Sequence, residues 1–219
     1  MTDQGITCKI INRQMLTDTV MEITIESYQE VKVIPGQWAL FLFEDKEGPF
    51  QRCYSILDRD TDNERTMLIF AIKLSEQGRW SAQIKNTPIG SEVHIQWVYG
   101  NFVLQNTLLP KVFVWTGTGV VPLLNMAKHC DTKKELFFSV SYKKDLFYEE
   151  RIKKIHWLDY HISLSREELP WYSMGRIDFS TKHFDPDTEF YVCGKPEVIN
   201  DIIKKLESLG FKRIYRENF

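Results

Sequence analysis

In the first half of the chain, apolar residues recur in short runs with the two-residue period of half-buried strands. Six runs have this character, and we predict strands at Thr7–Asn12, Val20–Glu26, Gln37–Phe43, Arg52–Leu57, Met67–Leu74 and Glu92–Val98. Turn residues at Gly48-Pro49, Asp58–Asn63 and Pro88–Gly90 separate them, and one short helix is predicted over Arg79–Asn86. Many short strands with little helix indicate a small barrel or sandwich.

After Pro110 the pattern changes to short, wholly apolar strands that alternate with helical spacing. Pro122 suits the first turn of one helix, Asp145 is a candidate cap for a second that runs to Lys154, and Gly210 is a candidate end for a third. The predicted strands are Val112–Trp115, Leu136–Ser141, Tyr160–Leu164 and Glu189–Cys193. This alternation is typical of a parallel, doubly wound sheet. We therefore predict two domains, a β-barrel over 1–105 and an α/β domain over 106–219.

Composition and charge exclude several classes of protein. The 219 residues are 43% hydrophobic, enough for a proper core, and the net charge of −2 makes nucleic acid a poor partner. The four cysteines form no CxxC pair and the histidines lack zinc-ligand spacing, so we expect no metal site. There is no apolar leader and no run long enough to span a membrane. We expect a cytoplasmic protein with reduced thiols, no membrane contact and a monomeric state.

Two clusters in the first half carry candidate chemistry. In Arg52-Cys53-Tyr54-Ser55, strand alternation places Arg52 and Tyr54 on one face, which offers a cation beside a planar aromatic ring. Such a pair suits a phosphate and a flavin ring, although an edge strand with a solvated arginine also fits. Gly78-Arg79-Trp80-Ser81 opens the short helix, where backbone N–H groups attract phosphate oxygens; a plain turn is the alternative.

Two loops in the second half join a buried strand to a glycine and then to a helix, as nucleotide-binding βα units do. The first is Thr116-Gly117-Thr118-Gly119 with Pro122 beyond it, and it lacks the third glycine of GxGxxG. The second is Cys193-Gly194-Lys195-Pro196, and both loops could face one crevice. Structural turns and a buried thiol remain alternatives. Arg166 and Arg176 follow the third strand, and their guanidinium groups suit an adenosine 2′-phosphate.

Taken in order, these clusters resemble the ferredoxin–NADP⁺ reductase superfamily over essentially the whole chain. The matching motifs are RxYS (Arg52, Tyr54, Ser55), GxxS (Gly78, Ser81), Gly100-Asn101-Phe102, GTGxxP (117–122) and CGxP (193–196). The resemblance implies a six-stranded antiparallel Greek-key barrel that binds FAD. It also implies a parallel-sheet α/β domain that binds NADP, with NAD possible.

The resemblance also implies roles for single residues. Arg52 and the Gly78–Ser81 helix start, which includes Trp80, would hold the flavin pyrophosphate, and Tyr54 would stack on the isoalloxazine beside Cys53. Ser55, Cys193 and Glu217 would act at the reacting rings. The remaining nucleotide contacts would come from Thr116, Gly117, Thr118, Gly119, Pro122, Gly194, Pro196, Arg166 and Arg176, with Phe219 covering the flavin.

The resulting hypothesis is an oxidoreductase that transfers a hydride from NAD(P)H to bound FAD across an interdomain crevice. Electrons would pass to a separate acceptor, either a protein of the ferredoxin or flavodoxin type or a small molecule. The stretch Ser139–Lys144 lacks an arginine found in many relatives, so NADPH is only favoured over NADH. The alternatives are a free-flavin reductase, a non-catalytic flavin-binding subunit of a larger complex, and a nucleotide-sensing module without flavin.

Overall fold

The computed structural model describes residues 5–62, 65–179 and 182–218. The chain divides into two compact units after Val103, whereas the sequence placed the division after residue 105. Among the described residues, no helix is long and apolar enough to cross a membrane.

The first unit is a closed antiparallel barrel of six strands, as predicted. The strands are β1 (Ile6–Met15), β2 (Val20–Ser27), β3 (Trp38–Asp45), β4 (Gly48–Asp62), β5 (Arg65–Lys73) and β6 (Glu92–Tyr99), with helix α1 (Arg79–Asn86) between the last two. They follow each other round the barrel in the order β1-β2-β5-β4-β3-β6. Since β2 pairs with β5 instead of β3, the chain crosses the barrel in a Greek-key connection.

Strand β4 is longer than predicted, because it continues through most of the Asp58–Asn63 stretch that the sequence assigned to a turn. The register against β5 shifts between Ile56 and Asp58, and pairing then resumes as far as Asp62 opposite Arg65. A bulge of this kind absorbs one residue and lets the polar residues beyond it stay in the ladder. The turn prediction at Asp58 was therefore wrong. The barrel interior is filled by alternate apolar residues, among them Ile10, Ile23, Phe41, Phe70 and Ile95.

The second unit is a six-stranded sheet in which every pairing is parallel. Its strands are β7 (Lys111–Thr116), β8 (Lys134–Val140), β9 (Leu158–Leu164), β10 (Ser173–Met174), β11 (Glu189–Gly194) and β12 (Ile214–Asn218). Its helices are α2 (Val120–Lys128), α3 (Glu149–Lys153) and α4 (Pro196–Ser208). The spatial order is β10-β9-β8-β7-β11-β12. The sequence pattern identified β7, β8, β9 and β11 and missed the two edge strands.

Helix α4 ends as the glycine pattern predicted. Gly210 has φ of 92°, and its N–H bonds to the Glu207 carbonyl while the Phe211 N–H bonds to the Leu206 carbonyl. These two bonds form a Schellman motif, which needs a left-handed residue at the position of Gly210. The prediction for the second helix was wrong, because Asp145 lies in a 3₁₀ turn and α3 begins only at Glu149. Glu149 and Glu150 complement the helix dipole in the place of a cap.

Candidate cofactor sites

Residues 52–55 lie on β4 in register with β3, so that Arg52 is opposite Phe41, Tyr54 is opposite Ala39 and Ser55 is opposite Trp38. Phe41 and Ala39 are fully buried, so this face of β4 is the face that closes the barrel core. Tyr54 is half-buried against that core, while Arg52 is exposed. Cys53 points to the other face and is exposed. The strand therefore presents a cation and an anchored aromatic ring side by side.

The Tyr54 ring is held by other rings. It meets Phe41 edge-on at 5.8 Å between centroids and lies 5.9 Å from Trp80. Burial raises the pKa of the Tyr54 phenol, which keeps it protonated as a hydrogen-bond donor. Trp80, expected to bind cofactor, is only 3% exposed and packs against Phe43 at 3.8 Å between centroids. Its observed contacts thus fix Tyr54 from within the barrel.

The two arginines near α1 are in different electrostatic situations. Both guanidinium groups lie over the ring of Phe50, at 5.6 Å for Arg52 and 4.4 Å for Arg79. Arg79 donates to both carboxylate oxygens of Asp45 and to the Gly48 carbonyl, and this hydrogen bonding lowers the pKa of Asp45. Arg52 donates only to the neighbouring Gln51 carbonyl among the bonds observed. Arg52 is therefore the cation better placed to bind an anionic ligand.

Ser55 and the start of α1 complete the barrel site. Ser55 is 5% exposed, and its Oγ has no hydrogen-bond partner within the described part of the chain. A buried hydroxyl without a partner is costly, so a ligand that supplies one would fit. At the helix start, Gly78 is in a tight turn where a Cβ would lie 3.0 Å from Ser81 Oγ. Ser81 Oγ itself accepts the Ser75 N–H at 2.8 Å.

Replacing Ser55 by alanine should slow flavin reduction about tenfold while leaving the thermal midpoint unchanged or higher, because the hydroxyl satisfies no bond within the described protein. Stopped-flow absorbance and a melting curve measure the two quantities. The contrasting variant is Ser81→Ala, which breaks a buried hydrogen bond and should cost about 1 kcal/mol of stability. An unaltered reduction rate in Ser55→Ala would remove Ser55 from the site.

In the second unit, the sheet order reverses between β7 and β11. The chain runs outward from β7 through β8, β9 and β10, and then returns to place β11 on the other side of β7. Open parallel sheets bind ligands at this switch point, outside the carboxyl ends of the two strands. The loops after β7 and β11 are the two glycine loops found in the sequence. The topology therefore brings both of them to one position.

Each glycine loop is shaped to fit the other. A Cβ on Gly119 would lie 2.6 Å from the Cys193 carbonyl oxygen, and one on Gly194 would lie 2.3 Å from Thr116 Oγ1. Close backbone approach, which only glycine permits, thus explains both positions. Gly117 and Thr118 lie at the turn, and Gly117 has φ of 57°. Pro122 and Pro196 lie in the first turns of α2 and α4, where a missing N–H does no harm.

Cys193 and Glu217 are neighbours across β11 and β12. Cys193 is fully buried, and burial together with Glu217 raises the pKa of its thiol well above the ordinary value. Burial also raises the pKa of Glu217 to about 7, and its Oε2 has no partner in the ranges that the structure covers. The thiol is therefore neutral at physiological pH, and the carboxyl changes charge close to it.

The Glu217 carboxyl should make stability depend on pH. An acid whose pKa is higher in the folded than in the unfolded state stabilises the fold fully below the unfolded pKa, and this contribution is lost as pH rises through the folded pKa. For Glu217 that window runs from 4.5 to about 7. We expect Glu217→Gln to flatten the profile there by on the order of 2 kcal/mol in urea unfolding. Exposed Glu207→Gln should keep the wild-type slope; parallel profiles for Glu217→Gln and the wild type would contradict the assignment.

The structure separates the two arginines expected at a 2′-phosphate. Arg166 is exposed just beyond β9, and its backbone N–H bonds to the Ser141 carbonyl at 3.1 Å. Arg176 is also exposed, but its side chain pairs with Asp201 of α4 at 3.4 Å. Phe219, expected to cover the flavin, lies outside the described residues. Sequence reasoning missed Asp45, Phe50 and Thr116 Oγ1, because these contacts depend on how hairpins and loops fold back.

Comparison with known proteins gives a consistent result. Residues 113–204 match the oxidoreductase NAD-binding domain family. The whole chain superimposes on a ferredoxin NADP⁺ reductase from Neisseria gonorrhoeae with bound FAD and NADP, with a TM-score of 0.83, 20% identity and 98% of each chain covered. This chain is a ferredoxin–NADP⁺ reductase-like protein. The flavohem-like FAD/NAD-binding domain of nitric oxide dioxygenase from Vibrio cholerae is similar to this reductase-like chain over 99% of both, with a TM-score of 0.90 and 17% identity.

Curated sequences similar to this reductase-like chain include one of the subunits of the Na⁺-translocating NADH-quinone reductase. The protein from Yersinia enterocolitica is 26% identical over 206 residues, covering 80% of this chain and 51% of the relative. That from Neisseria meningitidis is 27% identical over 192 residues, covering 75% and 47%. The chain thus spans about half the length of these relatives or less.

Proposed function

We propose that this protein is a flavin-dependent NAD(P)H reductase that binds FAD in its barrel and passes electrons to a separate acceptor. The observation that supports the proposal most strongly is the buried, unpartnered hydroxyl of Ser55, within the described residues, beside the core-anchored ring of Tyr54. In a protein whose other unit is an oxidoreductase NAD-binding domain, a flavin is the cofactor that these two side chains fit best. When bound, the flavin accepts a hydride from the reduced nicotinamide and releases its electrons onward.

Each barrel residue has a distinct task in this proposal. Tyr54 would offer its ring face to the isoalloxazine, and the packing of Trp80 beneath it keeps that ring from tilting. Arg52 and the backbone N–H groups at the start of α1 would bind the pyrophosphate, since no acidic residue lies in the first turn of that helix. Ser55 would donate a hydrogen bond to the reacting edge of the flavin and so satisfy its own hydroxyl. FAD is preferred over FMN because this pyrophosphate cradle is present.

The α/β unit would hold the nicotinamide nucleotide at its switch point. The loops at 116–119 and 193–194 form a surface free of side-chain bulk, and Thr116 Oγ1 is buried there without a partner among the described residues. Cys193 would exclude water from the reacting ring as a neutral thiol, while Glu217 would hold or release a proton beside it. Placement of the ring by these groups is the main catalytic contribution of the protein.

The proposal is tested by purifying the full chain and identifying its bound flavin from the visible spectrum and chromatography of the released cofactor. We expect about one FAD per chain that persists through gel filtration, and NAD(P)H-dependent reduction of ferricyanide. Flavin lost on gel filtration with activity restored by added flavin would instead indicate a free-flavin reductase. A colourless protein that oxidises no NAD(P)H under any condition would overturn the proposal.

A second candidate is an electron-transfer subunit of a larger complex. It is favoured by the similarity to the quinone-reductase relatives, of whose length this chain spans about half or less. Turnover by the isolated chain with an artificial acceptor distinguishes the two, because an electron-transfer component of this kind would retain flavin yet need its partner for turnover. The physiological acceptor, the cytoplasmic location and the monomeric state stay predictions.

Coenzyme choice should depend on Arg166 more than on Arg176, because Asp201 already neutralises Arg176. We expect Arg166→Ala to raise KM for NADPH about tenfold with little effect on NADH, the cost of one charge-assisted contact to a 2′-phosphate. Arg176→Ala is the matched control and should change KM for NADPH by less than about threefold. Steady-state kinetics with both coenzymes gives the answer; equal effects of the two variants would contradict the assignment.

A further inference from the structure

The amino ends of the parallel strands form a second edge of the α/β unit, opposite the nucleotide loops. Trp157 precedes β9 there and is 90% exposed, and Leu108 precedes β7 and is 94% exposed. Lys133, between them in the sheet order, is fixed to this edge by a 3.0 Å bond from the Lys111 N–H to its carbonyl. We call this edge the basic rim, and its exposed members are Leu108, Lys128, His129, Lys133, Lys154, His156 and Trp157.

Trp157 is held outward at a double cost. Its φ is 54°, a left-handed conformation that bulky residues rarely adopt and that costs roughly 1–2 kcal/mol. The exposed indole gains no burial in return. Since Leu158 is in register with Lys134, Trp157 flanks Lys133 across β8 and β9. A strained, fully presented tryptophan beside lysines is the composition of an interface anchor with a charged surround.

An open cavity of about 280 Å³ lies next to Lys133 on the same edge. Thr188 lines it and is only 1% exposed, yet its Oγ1 has no partner in the part of the chain described. The other charged groups of the lining are engaged elsewhere, since Lys134 donates to the Ala127 and Cys130 carbonyls and Glu135 pairs with Lys182. Lys111 pairs with Glu189, and Asp185 accepts from the Asp187 N–H.

What remains in the cavity, within the described residues, is a hydroxyl without a partner beside a lysine, with His183 at its margin. A carboxylate is the group that this set would bind, because it accepts hydrogen bonds from a hydroxyl and an ammonium together. Asp131 and Asp159 are the acidic residues nearest in sequence to the rim, and they are outnumbered by its basic residues. The local charge therefore favours an acidic ligand despite the net charge of −2.

We propose that the basic rim docks an acidic segment of a partner protein, with one carboxylate in the cavity at Thr188 and Lys133 and an apolar side chain against Trp157. The surface lies at the opposite ends of the strands that carry the glycine loops, so docking there would leave the nucleotide site accessible. The proposal does not depend on the flavin chemistry. It assigns a partner class to a surface that the reductase reaction leaves unused.

The test uses the full chain and a fluorescein-labelled, glutamate-rich peptide of about ten residues with a central leucine, measured by fluorescence anisotropy. We expect micromolar binding that weakens as salt rises, and binding at least about tenfold weaker with Trp157→Ala. Lys133→Gln and Thr188→Val should each weaken it severalfold. Trp171→Ala is the matched control, since Trp171 is 99% exposed with φ of 74° but lies on the 165–172 loop, and it should bind as the wild type does.

Trp157→Gly separates docking from folding. Glycine relieves the left-handed backbone, so this variant should melt at the wild-type temperature or above it while losing the peptide as Trp157→Ala does. Equal loss with Trp171→Ala, or equal binding of a peptide with glutamine in place of glutamate, would overturn the proposal. So would tight binding to phosphatidylserine vesicles with none to the peptide, because the rim would then be a lipid-binding surface.

Discussion

Replacing Tyr54 by alanine is expected to yield a nearly colourless protein. Tyr54 is the ring that the barrel core holds in place beside Ser55, and no other aromatic residue of the described β4 strand lies next to that hydroxyl. Loss of a stacked ring costs about 1–3 kcal/mol of binding, so the dissociation constant for FAD should rise about tenfold or more. The ratio of absorbance in the visible flavin band to that of the protein, after gel filtration, measures the loss.

Two controls isolate the role of the ring from the role of packing. Tyr54→Phe keeps the aromatic face and should keep the flavin, while Arg59→Ala alters another arginine on the same strand, one that pairs with Glu30 at 3.6 Å, and should bind normally. Arg52→Ala should lose FAD because it removes the pyrophosphate cation. Full flavin content in both Tyr54→Ala and Arg52→Ala, with unchanged circular dichroism, would refute the barrel site.

Replacing Gly119 by alanine is expected to abolish reduction by NAD(P)H without releasing the flavin. The new Cβ would lie 2.6 Å from the Cys193 carbonyl oxygen, so one of the two loops must move. Misplacement of about 1 Å at a hydride donor costs on the order of a hundredfold in rate. Stopped-flow reduction of the FAD-loaded variant should therefore be at least that much slower than in the wild type.

The matched control is Gly210→Ala. Gly210 also has a positive φ, but nothing in the described structure lies within 4 Å of a Cβ built there, so the change costs only backbone conformation. It should destabilise the fold by about 1 kcal/mol and leave the reduction rate unchanged. A Gly119→Ala variant that reacts as fast as Gly210→Ala would mean that the nicotinamide does not use the loop at the switch point.

Much of the fold follows from local patterns, and the errors have physical causes. The barrel strands and the central strands of the sheet were predicted because burial on one or both faces leaves a clear periodicity. Strands β10 and β12 were missed, because one is two residues long and the other, Ile214–Asn218, is largely polar. Asp145 was misjudged since a capping residue is recognised only when the helix start is known. The long β4 depends on a bulge that no local signal marks.

The candidate sites divide in the same way. Strand alternation placed Arg52 and Tyr54 on one face, and βα geometry placed the two glycine loops at one position, which the sheet order confirms. Burial decided what the sequence could not: Trp80 packs in the barrel core, and Ser55 has a hydroxyl without a partner among the described residues. The pairing of Arg176 with Asp201 joins residues 25 positions apart. Such long-range contacts carry no local sequence signal.

The most direct test of the proposed reaction is anaerobic stopped-flow reduction of the FAD-loaded protein, followed at the flavin absorbance band. We predict that NADPH or NADH bleaches the flavin completely in a single turnover, that Gly119→Ala slows this step about a hundredfold or more, and that Tyr54→Ala holds no flavin to bleach. A bound flavin that neither coenzyme reduces, or wild-type rates in Gly119→Ala, would contradict the claim that residues 52–55 and the two glycine loops serve one reaction.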